Sequence, residues 1–240
     1  MITHQDIVNE LSDELFADDN VLALILYGSV ARQEQSPNSD IDLLVVIREN
    51  YLQKRHIIRY DITVEFVEIS LEFLNKHISE RKTPMVFALA QGVVLFNKSR
   101  EAEQLIDEAK KIIESGPSVN ERWNEKEYST KKRSDLTEIY KDLLDTDDEI
   151  NFNYIVSALI TSALPMLYEN YNLWPQSKKK TMDYLKAYCH DGYKIIEILL
   201  SSKHPLREKR NAAKDLINFT LKEHGGVLEG ETTIFKITEL

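Results

Sequence analysis

The sequence predicts an α+β protein in two parts: a mixed-sheet domain over residues 1–116, then an all-helical bundle domain over residues 117–240. Three observations carry that reading. Apolar runs bounded by turn residues read as buried strands, and apart from a short terminal one they fall in the first half, at residues 21–27, 40–47, 57–69 and 93–96. Helical periodicity separates them. Ser115-Gly116-Pro117 then punctuates the chain, and the pattern beyond it is almost entirely helical.

The elements follow in order. Thr3 caps a first helix whose apolar stripe is Ile7, Val8, Leu11 and Leu15. Residues 21–27 form a buried strand that runs into a glycine turn at Gly28 and a short helix. The cluster Ser36-Pro37-Asn38 breaks the chain, and a second strand opens with Asp40 and Asp42. Residues 57–69 read as one long strand, with Thr63, Glu65 and Val67 on one face. A helix over 71–78 and a shorter one over 85–90, preceded by Pro84 and ended by Gly92, lead to a strand over 93–96. The domain closes with a helix over 101–114, its apolar face Leu105, Ile106, Ala109 and Ile113.

In the second half, Ser118 with Glu121 makes a capping-box pattern at the head of a charged helix running to residue 144. An acidic stretch at 145–149 ends it. Residues 151–168 form the most apolar helix, with Ile155, Val156, Leu159, Ile160, Ala163 and Leu164 inward and Pro165 expected to kink or end it. Helices over 177–188, 193–200 and 207–223, Gly225-Gly226, and a strand over 232–237 complete the chain.

Composition bounds the function. The 240 residues are 42% hydrophobic and 29% charged, as in an ordinary soluble globular protein. No run reaches the roughly 20 apolar residues of a membrane span, and the N-terminus lacks a basic-then-apolar leader. Cys189 is the one cysteine, which excludes a disulfide framework or a cysteine zinc site. A cytoplasmic protein is expected. The net charge of −10 argues against a nucleic-acid surface, which rests on many lysine and arginine contacts to phosphate, and suits a cationic small acceptor.

The chemistry concentrates in residues 24–47. Gly28-Ser29 ends the first strand, and Asp40-Ile41-Asp42 begins the second. Alternate strand residues share a face, so the two carboxylates lie roughly 6.7 Å apart along the backbone. Carboxylates so placed repel unless a hard cation sits between them, which points to Mg²⁺. Ser29 starts a helix aimed at the same end of the sheet, where free N–H groups can hold phosphate. Arg32, one helical turn on, can reach a triphosphate. Metal plus phosphate cradle means phosphoryl or nucleotidyl transfer.

The arrangement resembles the nucleotidyltransferase superfamily typified by DNA polymerase β, whose signature is Gly-Ser, a short stretch, then Asp-hydrophobic-Asp. Gly28, Ser29, Asp40, Ile41 and Asp42 match it. The resemblance implies a third acid on a neighbouring strand. Val64-Glu65 followed by Ser70-Leu71-Glu72 fits the small members' pattern and selects Glu65, with Asp61 the runner-up on the same strand face. Glu in place of the more usual Asp is a departure that aminoglycoside-type members share. Trp174-Pro175 with Lys178 looks like the helix opening from which a lysine of the helical domain meets the triphosphate.

The resemblance implies two Mg²⁺ ions held by Asp40, Asp42 and Glu65, with ATP or another NTP bound through Gly28, Ser29, Arg32 and Lys178. It further implies transfer of a nucleoside monophosphate to a small hydroxylated acceptor, such as an aminoglycoside-like antibiotic, bound between the domains. Asp135 and Glu138 are eligible as an extra general base. The alternative is a protein or tRNA acceptor, as in toxin–antitoxin pairs. Those pairs usually keep the helical partner as a separate ribonuclease with an Arg-four residues-His motif, which this sequence lacks.

Overall fold

The structure, a computed structural model, describes residues 2–118 and 121–228. Its backbone contacts divide it into two compact units between Pro117 and Ser118.

The first unit is built on a five-stranded sheet. Helix α1 (His4–Phe16) opens it with a reciprocal capping box, Thr3 accepting from the Asp6 amide and the Asp6 side chain accepting from the Thr3 amide. Ile7, Val8 and Leu11 of its stripe are buried. Strand β1 (Val21–Tyr27) follows, then helix α2 (Gly28–Ala31) and strand β2 (Ile41–Ile47). Strands β3 (Leu52–Arg59) and β4 (Ile62–Ser70), helices α3 (Leu71–Ser79) and α4 (Thr83–Gln91), strand β5 (Val93–Asn97) and helix α5 (Arg100–Ser115) complete it. The spatial order is β3-β4-β2-β1-β5, with β2 and β4 parallel and every other neighbour antiparallel. One sheet face packs Leu24, Leu26, Leu43, Val45 and Phe66 against α1. Ile25, Leu44, Val46 and Ile69 are buried on the other, the side of α3 and α4.

The long strand expected over 57–69 is instead a hairpin. Arg59 pairs with Ile62 across a two-residue turn, and Tyr60 and Asp61 both have positive φ, 50° and 66°. That is the type I′ pattern, whose twist matches the flanking strands but which usually requires Asn-Gly. Asp61 therefore sits at the turn and does not share a strand face with Thr63 and Glu65. Replacing Tyr60-Asp61 with Asn-Gly relieves two left-handed non-glycine residues and is expected to raise stability by about 1 kcal/mol in denaturant unfolding. In α5 Leu105, Ile106 and Ala109 are buried as expected, while Ile112 is buried and Ile113 only half-buried at the last turn.

Strand β3 lies at the sheet edge with a basic run, Lys54-Arg55-His56, that is anchored from both faces. On the α1 side Arg55 donates to the buried Glu68 at 2.6 Å and lies 4.0 Å over the Phe66 ring. Gln53 and Tyr51 bond the same carboxylate. Together they hold Glu68 below the usual carboxylate range against the upward pull of burial.

The second unit is helical: α6 (Lys126–Asp145), α7 (Glu149–Asn170), α8 (Thr181–Tyr188), α9 (His190–Leu200) and α10 (Leu206–Leu221). The expected Ser118 capping box spans residues 119–120, outside the described residues. A 3-10 turn, Glu121–Asn124, precedes α6. Helix α7 has the length and apolar composition of a membrane span, yet Phe152, Val156, Leu159, Ile160, Ala163 and Leu167 form this unit's core. It continues through Pro165, because buried residues on both sides outweigh one lost backbone bond. Ile155 and Leu164 are only half-buried.

Helix α8 starts at Thr181, four residues later than expected. Ser177–Lys180 is a turn, closed by the Lys180 and Thr181 amides donating to the Ser177 carbonyl. Three successive lysines oppose the positive end of a helix dipole, which accounts for the later start. Helix α9 begins three residues before the expected 193, and α10 gives way to a 3-10 turn, Lys222–His224. The strand expected over 232–237 lies outside the described residues.

Candidate active site

The sheet register assembles the site. Tyr27 pairs with Asp42, Asp42 with Glu65, and Glu65 with His56, so one rung across β1, β2, β4 and β3 places four side chains on one face. Asp40, two residues before Asp42, points the same way. Ile41 between them is fully buried on the opposite face and fixes both acids. The loop before Asp40 is pinned by the Ser39 amide donating to the Ser36 carbonyl, the Ser36 amide donating to Ser39 Oγ, and a 2.9 Å hydrogen bond between His4 Nε2 and the Ser39 carbonyl.

The three acids converge: one carboxylate oxygen each from Asp40, Asp42 and Glu65 lies within 4.8 Å of the others. The two half-buried acids titrate in opposite directions. Burial, then the charges of Asp40 and Glu65, push Asp42 up to about 6 despite Lys54 and Arg32. Burial also works upward on Glu65, but hydrogen bonds and charge from Lys54 and His56 outweigh it and leave the group below its ordinary value. Lys54 Nζ is 2.7 Å and His56 Nε2 3.1 Å from Glu65 Oε2, and the Tyr27 hydroxyl donates to Oε1 at 3.3 Å. Burial and the carboxylates raise the Tyr27 hydroxyl, which stays a donor. Three crowded carboxylate oxygens, with one acid driven toward protonation, are a hard donor set that fits a divalent cation.

Gly28 has φ +73°, and a Cβ placed there would overlap Asp42 Oδ2. Only glycine lets the β1–α2 turn lie this close to the carboxylate. Ser29 follows in the first turn of α2, whose cap residue Tyr27 makes no side-chain capping bond. Arg32 ends α2 and pairs with Glu34 at 2.9 Å while its charge reaches Asp42. Lys178 belongs to the other unit and is exposed in the turn before α8. Asp61 is absent from the acid cluster and lines, with Asp40, Ser39 and Thr63, a cavity of ≈390 Å³. A cavity of similar size, ≈380 Å³, lies at the opposite strand ends by Ile47 and Ser70, away from the three acids.

Sequence reasoning missed Tyr27, Lys54 and His56. The Lys54-x-His56 alternation was a signal for a strand face, but only the hairpin register places it beside Glu65.

Residues 9–101 match the family model described as polymerase beta, nucleotidyltransferase. Among solved structures, a nucleotidyltransferase-like protein from Exiguobacterium sibiricum 255-15 is similar at TM-score 0.51 and 15% identity, over 92% of this chain and 75% of that one. At that identity the likeness speaks to the fold. Comparison with curated proteins returns no match.

Proposed function

We propose, from residues 9–101 being a nucleotidyltransferase domain, that the protein moves a nucleoside monophosphate, AMP from ATP, to a hydroxyl of a small acceptor. The observation that supports this most is the three-carboxylate cluster set against the Gly28–Ser29 turn.

Asp40, Asp42 and Glu65 would hold two Mg²⁺ ions. Such ions, when bound, neutralise the carboxylates, polarise the α-phosphate and acidify an acceptor hydroxyl. The chain's own groups orient the substrates. Gly28 lets the turn approach, and Ser29 offers hydroxyl and amide to the terminal phosphates. Arg32 adds positive charge on the same side, and Lys178 is proposed as a further triphosphate contact. Glu65, held on Oε1 by Tyr27 and on Oε2 by His56, is oriented before substrate arrives. Positioning of this kind supplies much of the rate in phosphate chemistry.

Polyamino sugars of the aminoglycoside type are the first acceptor class to test, because the chain carries a net charge of −10. The experiment is transfer of label from α-labelled ATP to aminoglycosides and other polyols with Mg²⁺, beside Asp42→Ala. Transfer that vanishes in Asp42→Ala and on chelation is expected. Equal transfer by the variant would contradict the assignment. Nucleotide binding without transfer to any panel member would move the acceptor to protein or RNA.

A further inference from the structure

We infer that Lys54 is a resident counter-ion of the third carboxylate, an ammonium that a divalent cation displaces from Glu65 when it binds. The inference rests on the reading of Asp40, Asp42 and Glu65 as a cation site.

Of the three acids, Glu65 alone forms an ion pair among the described residues. Lys54 Nζ lies 2.7 Å from Oε2, the oxygen that His56 also contacts. Three carboxylates this close must be neutralised in part before any metal arrives, or the first unit folds against their repulsion. Lys54 provides that neutralisation, and its charge also draws Asp42 downward.

The geometry suits a group that leaves. The Lys54 side chain is 57% exposed whereas that of Glu65 is 16% exposed, so the ammonium reaches inward from solvent. β3 is an edge strand, and a four-carbon stem can swing outward with no backbone movement. An ammonium has three donors and no acceptor, so it cannot join a metal's ligand shell. While it holds Oε2 it repels an incoming dication and occupies the electron pairs that would bind it. Tyr27 on Oε1 and the rung register keep Glu65 in place after Lys54 leaves.

A lysine that only positioned Glu65 predicts the opposite response to its removal, because a loosened ligand binds metal less well. The test is Mn²⁺ binding to the full chain without nucleotide or acceptor, by calorimetry and by the electron paramagnetic resonance signal of free Mn²⁺. Wild type, Lys54→Met, Lys54→Gln and Lys54→Arg are compared. Lys54→Met and Lys54→Gln are expected to bind Mn²⁺ roughly threefold to tenfold tighter, with Lys54→Arg close to wild type. Their metal-free melting temperatures fall, and Mn²⁺ raises them by more than it raises wild type. Unchanged or weaker affinity in both neutral variants, with wild type binding Mn²⁺, overturns the role of Lys54 alone. Absence of Mn²⁺ binding in all four proteins overturns this role and the cation site together.

Discussion

Asp42→Asn is expected to lower nucleotidyl transfer by a factor on the order of 10³ while stabilising the metal-free protein. The two effects share a cause. Asp42 is half-buried among like charges, and its carboxyl is raised from 3.8 to about 6. A shift of that size corresponds to about 3 kcal/mol at most, and solvent screening at a partly open site reduces it to on the order of 1–2 kcal/mol. An acid whose folded pKa is raised costs nothing below its unfolded value. The cost grows through the interval from 3.8 to about 6 and is complete at neutral pH. Lowering the pH from 7 to 5 in chelator should therefore relieve the wild type of a penalty that Asp42→Asn lacks. Denaturant unfolding of both proteins across that range measures the difference, which should shrink as pH falls. A variant that is inactive and less stable at pH 7 would place Asp42 among ordinary structural carboxylates.

Gly28→Ala is expected to impair activity as severely, with the opposite sign on stability. The added methyl must adopt φ +73° and would overlap Asp42 Oδ2. Left-handed backbone costs a non-glycine residue about 1 kcal/mol. The overlap is relieved only by rotating the Asp42 carboxylate out of the cluster, so transfer should fall on the order of 10²-fold or more and Mn²⁺ affinity should drop with it. In an Asp42→Gly background the overlap is gone, and Gly28→Ala should then cost only the backbone strain. The coupling from that double-mutant cycle, read from unfolding free energies, isolates the contact. Full activity in Gly28→Ala would show that the turn need not approach Asp42 so closely.

The legible parts of this site are those written along a short stretch of chain. Gly28, Ser29, Asp40 and Asp42 fall within fifteen consecutive residues, and strand alternation alone places both aspartates on one face. Glu65 was reachable only through the resemblance, since nothing local says that β4 lies parallel beside β2. The contacts of Glu65 were not legible, because they depend on the hairpin. Leu52–Arg59 is too polar to read as a buried strand, and Tyr60-Asp61 lacks the Asn-Gly that marks a type I′ turn. With the turn unseen, His56 stood just before the strand expected over 57–69, nine residues from Glu65, rather than opposite it on a second strand. The late start of α8 has a similar origin: lysine favours helix interiors but opposes the dipole at the first turn.

Parallel incubations with α-labelled and with γ-labelled ATP, in Mg²⁺ and a panel of hydroxylated acceptors, test the central claim most directly. Nucleotidyl transfer puts the α label on the acceptor and releases the γ label as pyrophosphate, and chelation or Asp42→Asn abolishes both signals. Appearance of the γ label on the acceptor, with release of ADP, would make the protein a phosphoryl transferase and contradict the account.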